Sequence, residues 1–343
     1  SRKGHAHLAF SKTENLTSEG YFSYVKDFKG GHNLNATAGY SYFEVNGENF
    51  GMDNYNFSVD GIKYWDIGQG SYLTDGKAGM SSGKSVTERL FSFFARANYS
   101  YQDKYMLSAS IRHEGSSKFA ADNRWANFWS ATAGWRISNE EFMKDFDWLD
   151  DLKIRFGYGV TGNNDFSATY MANMLGSDTN WMMPNGTWAY SYGKSQNVNP
   201  NLGWEEKKEW NLGVDYSFFE GRLYGKFDYY RRKVDNLLFS VKVPQPPYTQ
   251  GSQMQNIGSM ESKGWEFEVG GDIIRTKDFT WSSSMNLSHN TGKILTLEGD
   301  NSYHNGNGFV APGTPGDAAR MEAGSTIGSF YMWKFAGFDE DRK

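Results

Sequence analysis

Apolar and polar side chains alternate with a period of two through residues 89–111, and a charged, Gly-Ser segment follows at residues 112–119. In "RLFSFFARANYSY" (89–101) every second residue is aromatic or alanine, and most of the others are polar. After the tripeptide QDK the alternation resumes in "YMLSASI", with Leu107 and Ile111 on one face. Because successive side chains of a strand point to opposite faces, the pattern predicts two antiparallel strands joined by a tight turn.

The same alternation recurs in six further segments along the chain. They are "NLNATAGYSY", "FWSATAGWRI", "LKIRFGYGVT", "WNLGVDYSF", "WEFEVGGDI" and "FTWSSSMNL". In each of them one face is rich in aromatic and aliphatic residues, and the other carries mostly small, polar or charged residues. We expect about ten strands of roughly 9–12 residues each, which is the length that a tilted strand needs to cross a bilayer.

Short and long connections alternate strictly between the predicted strands. The short connections are residues 26–32, 102–104, 139–151, 220–222 and 275–278. The long connections are residues 44–88, 112–126, 162–205, 236–261 and 291–326. Short turns at one end of the strands and long loops at the other are typical of outer-membrane barrels.

The sequence therefore predicts an all-β protein, a transmembrane antiparallel up-and-down β-barrel with long extracellular loops and short periplasmic turns. The apolar strand faces, for example Leu107, Ala109 and Ile111, would contact lipid, whereas Ser108 and Ser110 would face a wet lumen. A soluble antiparallel sandwich is the alternative fold. Its strand and loop lengths would scatter, however, and its aromatic residues would not gather beside the turns.

The composition supports this fold and excludes several classes of function. The chain has 343 residues, of which 17% are aromatic, and its mean hydropathy is −0.68. The sequence has no run of 18 apolar residues that would predict a membrane-spanning helix, and in a barrel only alternate residues need to be apolar. The absence of cysteine excludes disulfides and thiolate chemistry. A net charge of −5 without a basic block argues against nucleic acid as a partner.

Three long segments carry a family likeness. They read "ANYSYQDKYMLSASIRHEGSSKFAADNRWANFWSATAGWRISNEEFMK", "LGWEEKKEWNLGVDYSFFEGRLYGKFDYYRRKVDNLL" and "QNIGSMESKGWEFEVGG", in this order. The sequence resembles the SusC/RagA class of TonB-dependent outer-membrane transporters over nearly its whole length. His113-Glu114 and Trp129 depart from the pattern of the class, at positions that carry no chemistry.

The resemblance implies a bacterial outer-membrane barrel of about 22 strands, surrounded by lipid and filled by a plug domain. Residues 1–343 would then be a portion of that barrel, about ten to twelve strands, with the plug domain and the terminal strands outside this chain. The implied function is import of oligosaccharides or peptides beneath a SusD-like surface lipoprotein that acts as a lid. The implied energy source is TonB–ExbB–ExbD, which acts through the plug, and no cofactor is implied.

The long connection at residues 162–205 carries the candidate site. The residues expected to contact substrate or lid are Trp181, Trp188, Tyr190, Tyr192 and Asn185. Aromatic faces and amide side chains suit sugar rings, which offer C–H faces and hydroxyl groups. Aromatic residues are also enriched in protein interfaces, so packing against other loops or a partner protein is the alternative.

Two glutamates on one predicted strand have a functional and a structural interpretation. Glu266 and Glu268 lie on one face with Cα atoms about 6.6 Å apart, a separation compatible with an inverting glycosidase. A charged row on the lumen wall is the simpler explanation. If paired residue numbers sum to about 498, Lys226 would pair with Asp272, and Arg232 would pair with Glu266.

The remaining sequence features give little support to catalysis. His5 and His7 share a face, but two histidines without a third ligand are a weak metal signal, and no nucleophile or phosphate-loop motif is present. We therefore expect no enzyme, cofactor or metal. The alternatives to a lidded importer are a siderophore or cobalamin receptor without a lid, and a structural or docking barrel of a secretion or surface assembly.

Overall fold

The computed structural model describes residues 4–59, 61, 65–172, 175–297, 303–305, 320–330, 334–335 and 337. Its strands are β1 (His5–Phe28), β2 (His32–Tyr55), β3 (Gly79–Lys84), β4 (Glu88–Tyr101), β5 (Tyr105–Ser116), β6 (Trp125–Arg136), β7 (Leu149–Asn163), β8 (Leu175–Met182), β9 (Trp188–Lys194), β10 (Glu205–Phe218), β11 (Leu223–Asp235), β12 (Leu238–Lys242), β13 (Ser252–Asn256), β14 (Ser259–Arg275), β15 (Thr280–Thr296), β16 (Tyr303–Asn305) and β17 (Arg320–Glu322). A short helix, α1 (Ser71–Thr74), lies between β2 and β3. Within the described ranges, no helix is long and apolar enough to span a membrane.

The main sheet is an antiparallel meander in which each long strand pairs with the next long strand of the chain. Its order is β1-β2-β4-β5-β6-β7-β10-β11-β14-β15, and β3 joins it as an eleventh strand by pairing with β2. Two hairpins, β8–β9 and β12–β13, form separate small sheets inside long connections, and β16 pairs with β17. The predicted portion of an up-and-down barrel is therefore confirmed.

The two faces of the sheet differ in polarity as the alternation predicts. On the outward face Leu107 and Ile111 are 55% and 51% exposed, which suits side chains that meet lipid. On the inward face Ser108 Oγ donates a 2.7 Å hydrogen bond to Asn98 Oδ1 of the neighbouring strand. Polar inward side chains thus bond to one another across the strands and line a wet lumen.

The β4–β5 connection is a tight turn flanked by aromatic residues. Gln102 and Asp103 have φ angles of 53° and 52°, and Lys104 N donates to Tyr101 O at 3.0 Å. Positive φ at both central residues is the type I′ geometry, whose twist matches that of the flanking strands. The rings of Tyr101 and Tyr105 stack with centroids 6.4 Å apart and form part of the aromatic row at the periplasmic end.

Several strands are longer than the 9–12 residues expected from the sequence. β1 and β2 have 24 residues each, and β2 continues past residue 44 as far as Tyr55, where β3 pairs with it. At about 3.3 Å per residue, such a strand reaches roughly 79 Å, far more than a bilayer core of about 30 Å requires even with tilt. The long connection after residue 44 therefore begins as an extension of the sheet.

The register between β11 and β14 differs from the expected one. Lys226 pairs with Glu268, so that paired residue numbers sum to 494, and Lys226 Nζ lies 2.9 Å from Glu268 Oε2. The predicted pairing of Lys226 with Asp272 is wrong. The inward position of Lys226 agrees with the prediction, since its partner Glu268 also faces the lumen.

The second predicted ion pair is also replaced by another. Arg232 Nε lies 2.7 Å from Glu209 Oε2 on β10, not beside Glu266 on β14. The physical reason is the long connection between β11 and β14, which contains its own hairpin and does not set the register as a tight turn does. Both charged rows nevertheless lie on the lumen wall.

Candidate functional site

A small hydrophobic core holds the extracellular connections together above the barrel wall. We call it the loop core, and its members are Phe119, Phe128, Phe166, Leu202 and Trp204. Ring centroids are 5.0 Å apart between Phe119 and Trp204 and 5.2 Å apart between Phe128 and Trp204. Each buried side chain stabilises this layer by about 1.5–3 kcal/mol. The connections that follow β5, β7 and β9 therefore pack as one body.

Asparagine side chains connect the β9–β10 connection to the β12–β13 hairpin. The Asn197 amide nitrogen donates to the carbonyl oxygens of Gln250 and Ser252 at 2.7 and 2.8 Å. Its amide oxygen accepts from Thr249 Oγ1 at 3.1 Å and from Gln250 N at 3.2 Å. Because all these bonds run between residues far apart in the chain, they fix two extracellular connections relative to each other.

The β8–β9 hairpin separates the predicted aromatic residues onto two faces. Trp188, Tyr190 and Tyr192 alternate along β9 and therefore share one face, and they are 66%, 75% and 69% exposed. We call these three residues the aromatic face. Trp181 pairs with Ala189 and lies on the opposite face, where it is 66% exposed. The sequence grouped four aromatic residues, and the fold brings three of them together.

Asn185 lies in the turn of this hairpin. Its Oδ1 accepts hydrogen bonds from Thr187 N at 3.1 Å and from Thr187 Oγ1 at 2.7 Å. Gly186 follows with a φ of 78°, and Met183 N donates to Thr187 O at 2.8 Å. The Asn185 oxygen thus maintains the turn. Contact between Asn185 and a substrate stays a prediction. Because the side-chain oxygen already accepts from Thr187, such a contact would use the amide nitrogen.

The lumen wall carries a charged cluster that the sequence pattern did not single out. Arg155 on β7 binds Asp215 on β10 with two hydrogen bonds of 2.8 Å. The same guanidinium reaches Asp228 on β11 at 3.2 Å, and Lys153 Nζ lies 2.9 Å from Asp215. The signal in the sequence is the inward position of all four residues, but only the register shows that they meet.

The histidine pair at the start of β1 has a carboxylate partner. His5 Nε2 and His7 Nδ1 lie 2.7 and 2.9 Å from Asp53 Oδ1. No sequence pattern pointed to Asp53, which the long β1–β2 pairing brings opposite His7. Across the described residues, no group of three or more histidine or acidic side chains is arranged to hold a metal ion.

Comparison with known proteins links this architecture to one family. The family model described as "TonB dependent receptor-like, beta-barrel" matches residues 4–339. The chain is 37% identical over 276 residues to the TonB-dependent receptor SusC of Bacteroides thetaiotaomicron, an alignment that covers 78% of the chain and 27% of that protein. It is 35% identical over 347 residues to the TonB-dependent receptor P3 of Formosa agariphila, covering 97% of the chain and 32% of the relative.

Solved structures show the same likeness. The chain superposes on a structure of the RagAB peptide importer in its "closed-closed" state with a TM-score of 0.77 and 28% sequence identity. That match covers 98% of the chain and 35% of the solved chain. The chain thus spans about a third of the length of the relatives that it matches.

Proposed function

The chain belongs to the TonB-dependent receptor family as a part of its β-barrel, and from this premise we propose that the protein imports a nutrient under a surface lipoprotein lid. Membership places it in the bacterial outer membrane, among transport proteins rather than enzymes. We propose a SusD-like lipoprotein as the lid and TonB–ExbB–ExbD as the energy source, acting through a plug domain. The proposed cargo is an oligosaccharide or a peptide.

One observation carries the proposal: the aromatic face stands exposed on a braced extracellular hairpin. A large exposed apolar surface on a protein marks an interaction or ligand-binding site. Trp188, Tyr190 and Tyr192 offer flat rings at low entropic cost, because each side chain has only two rotatable torsions. The loop core and the Asn197 bonds hold the base of the hairpin, so little order would be lost on binding.

Three extracellular connections complete the proposed contact surface. They are residues 44–88, 162–205 and 236–261. We infer that the lid rests on these connections and encloses the cargo between itself and the barrel. Two of them are tied together by Asn197, which gives the lid a coherent surface on which to close.

One named relative supports the peptide cargo, and the family resemblance supports the oligosaccharide cargo. RagAB is a peptide importer by the description of its structure, and the oligosaccharide alternative rests on the class that the sequence resembles. Aromatic rings bind both chemistries, since they stack on the C–H faces of sugars and pack on peptide side chains. The aromatic face alone is compatible with either cargo.

The proposal is tested by comparing substitutions on the two faces of the β8–β9 hairpin. The protein used is the full-length transporter isolated with its partners. One variant replaces Trp188, Tyr190 and Tyr192 with alanine, and the matched control is Trp181→Ala. Each is incubated with an α-glucan ladder, a tryptic peptide pool and a ferric siderophore, and retained molecules are identified by mass spectrometry. We expect wild type to retain glucan or peptide, and the triple variant to lose at least about 30-fold in affinity.

Three results would speak against the proposal. Equal retention by the triple variant and wild type would remove the aromatic face from the site. An equal loss in the Trp181→Ala control would show a general effect on the hairpin instead of a contact. Selective retention of the ferric siderophore would favour a receptor without a lid.

A further inference from the structure

The outward face of β10, β11, β14 and β15 carries an aromatic row near its extracellular end. Trp210, Tyr229, Trp265 and His289 lie on adjacent strands of this face. Ring centroids are 5.5 Å apart between Trp210 and Tyr229 and 6.2 Å apart between Trp265 and His289. We call these four residues the upper aromatic row. Aromatic rows of this kind mark the boundary between hydrocarbon and headgroups.

Five basic side chains follow the upper aromatic row on its extracellular side. We call them the basic patch: Lys208, Arg231, Lys233, Lys263 and Lys293. Each stands two or four residues beyond the aromatic residue of its own strand and therefore shares its outward face. In the register, Lys208 lies opposite Lys233, and Arg231 lies opposite Lys263. With a rise of about 3.4 Å per residue and a tilt of about 40°, they stand about 5–10 Å above the row, in the headgroup layer.

Carboxylates neutralise only part of the basic patch. Lys208 and Lys233 share Asp235, at 3.3 and 2.8 Å, and Arg231 binds Glu261 at 2.6 Å. Glu206 also contacts Lys208. The patch thus has five cations and three carboxylates, Glu206, Asp235 and Glu261, which leaves a surplus of about two positive charges. Such a surplus at the membrane surface attracts anionic headgroups.

Lys263 and Lys293 carry the surplus. Both side chains are exposed, and neither forms an ion pair with any residue in the described part of the chain. Lys293 lies opposite Glu261 in the register, but that carboxylate is bound by Arg231. Two ammonium groups without an ion-pair partner in the described part of the chain thus flank the Arg231–Glu261 pair, and the strand edge at Lys293 pairs with Thr326.

The basic patch does not extend onto β6 and β7, the strands that precede β10 in the sheet. On β6, the outward residues beyond Trp129 are Asn127 and Trp125, and on β7 Val160 follows Tyr158. None of these outward positions is basic, although their strands end in the same extracellular layer. The patch therefore has a local boundary on this side of the sheet, as expected of a site for particular headgroups.

We propose that the basic patch binds the phosphate groups of anionic lipids in the outer leaflet, with Lys263 and Lys293 as the principal contacts. An ammonium group is a compact charge with three donors and binds phosphate from many directions. The apolar surface below the patch would pack against the acyl chains of the same lipid, while the phosphate meets the lysines. Both ends of one amphiphile are thus recognised on this arc.

The test compares lipids retained by the full-length protein in nanodiscs of phosphatidylcholine with a minor fraction of phosphatidylglycerol. The double variant Lys263→Gln/Lys293→Gln removes both charges, and Lys263→Arg/Lys293→Arg keeps them. Lys242→Gln, an exposed lysine on β12, serves as the matched control. Native mass spectrometry counts the phosphatidylglycerol bound per protein, and a heat-modifiability gel verifies that each barrel is folded.

We expect the double glutamine variant to lose roughly 30-fold in preference for phosphatidylglycerol, as the loss of two surface lysines predicts. The arginine variant and the Lys242→Gln control should retain the preference, and added salt should weaken it. Unchanged phosphatidylglycerol retention in the double glutamine variant would overturn the proposal. Displacement of the lipid by inorganic phosphate alone would also overturn it, because the site would then recognise free phosphate.

Discussion

Replacing Trp204 with alanine should open the extracellular layer while the barrel wall stays intact. The Trp204 ring is buried in the loop core, between Phe119 and Phe128, and its Nε1 donates to Arg124 O at 3.0 Å. Truncation of a buried tryptophan to alanine costs about 3–5 kcal/mol. Trp204→Phe keeps most of the ring contacts and loses the hydrogen bond, so we expect a cost of about 1–2 kcal/mol.

Hydrogen exchange in the full-length protein measures this opening directly. Leu202 N donates to Asn199 O at 3.2 Å, and Gly203 N donates to Asn256 Oδ1 at 2.7 Å, so both amides report on the loop layer. In Trp204→Ala the protection factors of both amides should fall roughly 150- to 5,000-fold. This range is the predicted loss of about 3–5 kcal/mol converted at about 1.36 kcal/mol per tenfold change. Amides in the β10–β11 ladder should keep their protection, because their hydrogen bonds do not involve the loop core.

The control for this prediction is Trp181→Ala, because Trp181 is large but exposed and its loss should leave exchange unchanged. If protection in β10–β11 fell in parallel with that of Leu202, the loop layer and the barrel would unfold together. If Trp204→Ala changed nothing, the loop core would not stabilise the layer. Either outcome would refute the account of the extracellular connections as a separately stabilised unit.

Two further changes follow from the contacts. Asn197→Ala removes four hydrogen bonds between two extracellular connections, and each is worth about 1 kcal/mol. Limited proteolysis at residues 243–251 should therefore be faster in this variant than in wild type. Cleavage at the wild-type rate would contradict this. In the periplasmic connection, hydrogen bonds from Tyr105, Trp135 and Lys104 hold the pKa of Glu140 below its usual range. The stabilisation is present above the unfolded pKa of about 4.3 and is lost as pH falls through the lowered value, so the difference in Tm between wild type and Glu140→Gln should shrink in acid.

The barrel wall could be predicted from the sequence because its signal is local. Alternation along single strands, such as Leu107 and Ile111 against Ser108, decides which face is apolar. Tight turns such as the one at Gln102-Asp103 also fix which strand pairs with which. Strand length was less predictable, since polar strands that extend beyond the bilayer carry no hydrophobic band that marks their end.

Features that depend on register between distant segments could not be predicted. The Lys226–Glu268 pair depends on the register between β11 and β14, which a long connection joins. The expected partner, Asp272, lies four residues further along β14. A shift by an even number of residues keeps the same side chains facing inward but changes every cross-strand partner. Trp181 is separated from Tyr190 by the position of the hairpin turn, which only the folded loop reveals. Leu202 and Trp204 do leave a signal, as apolar residues in a polar loop beside the start of a strand.

The most direct test of the lidded importer is to isolate the full-length protein from the native outer membrane in mild detergent and identify its partners by mass spectrometry. We predict a surface lipoprotein in stoichiometric amount, cross-linked to residues 44–88, 162–205 or 236–261. Recovery of the barrel alone in several detergents, or together with secretion or adhesion components, would contradict the proposed function.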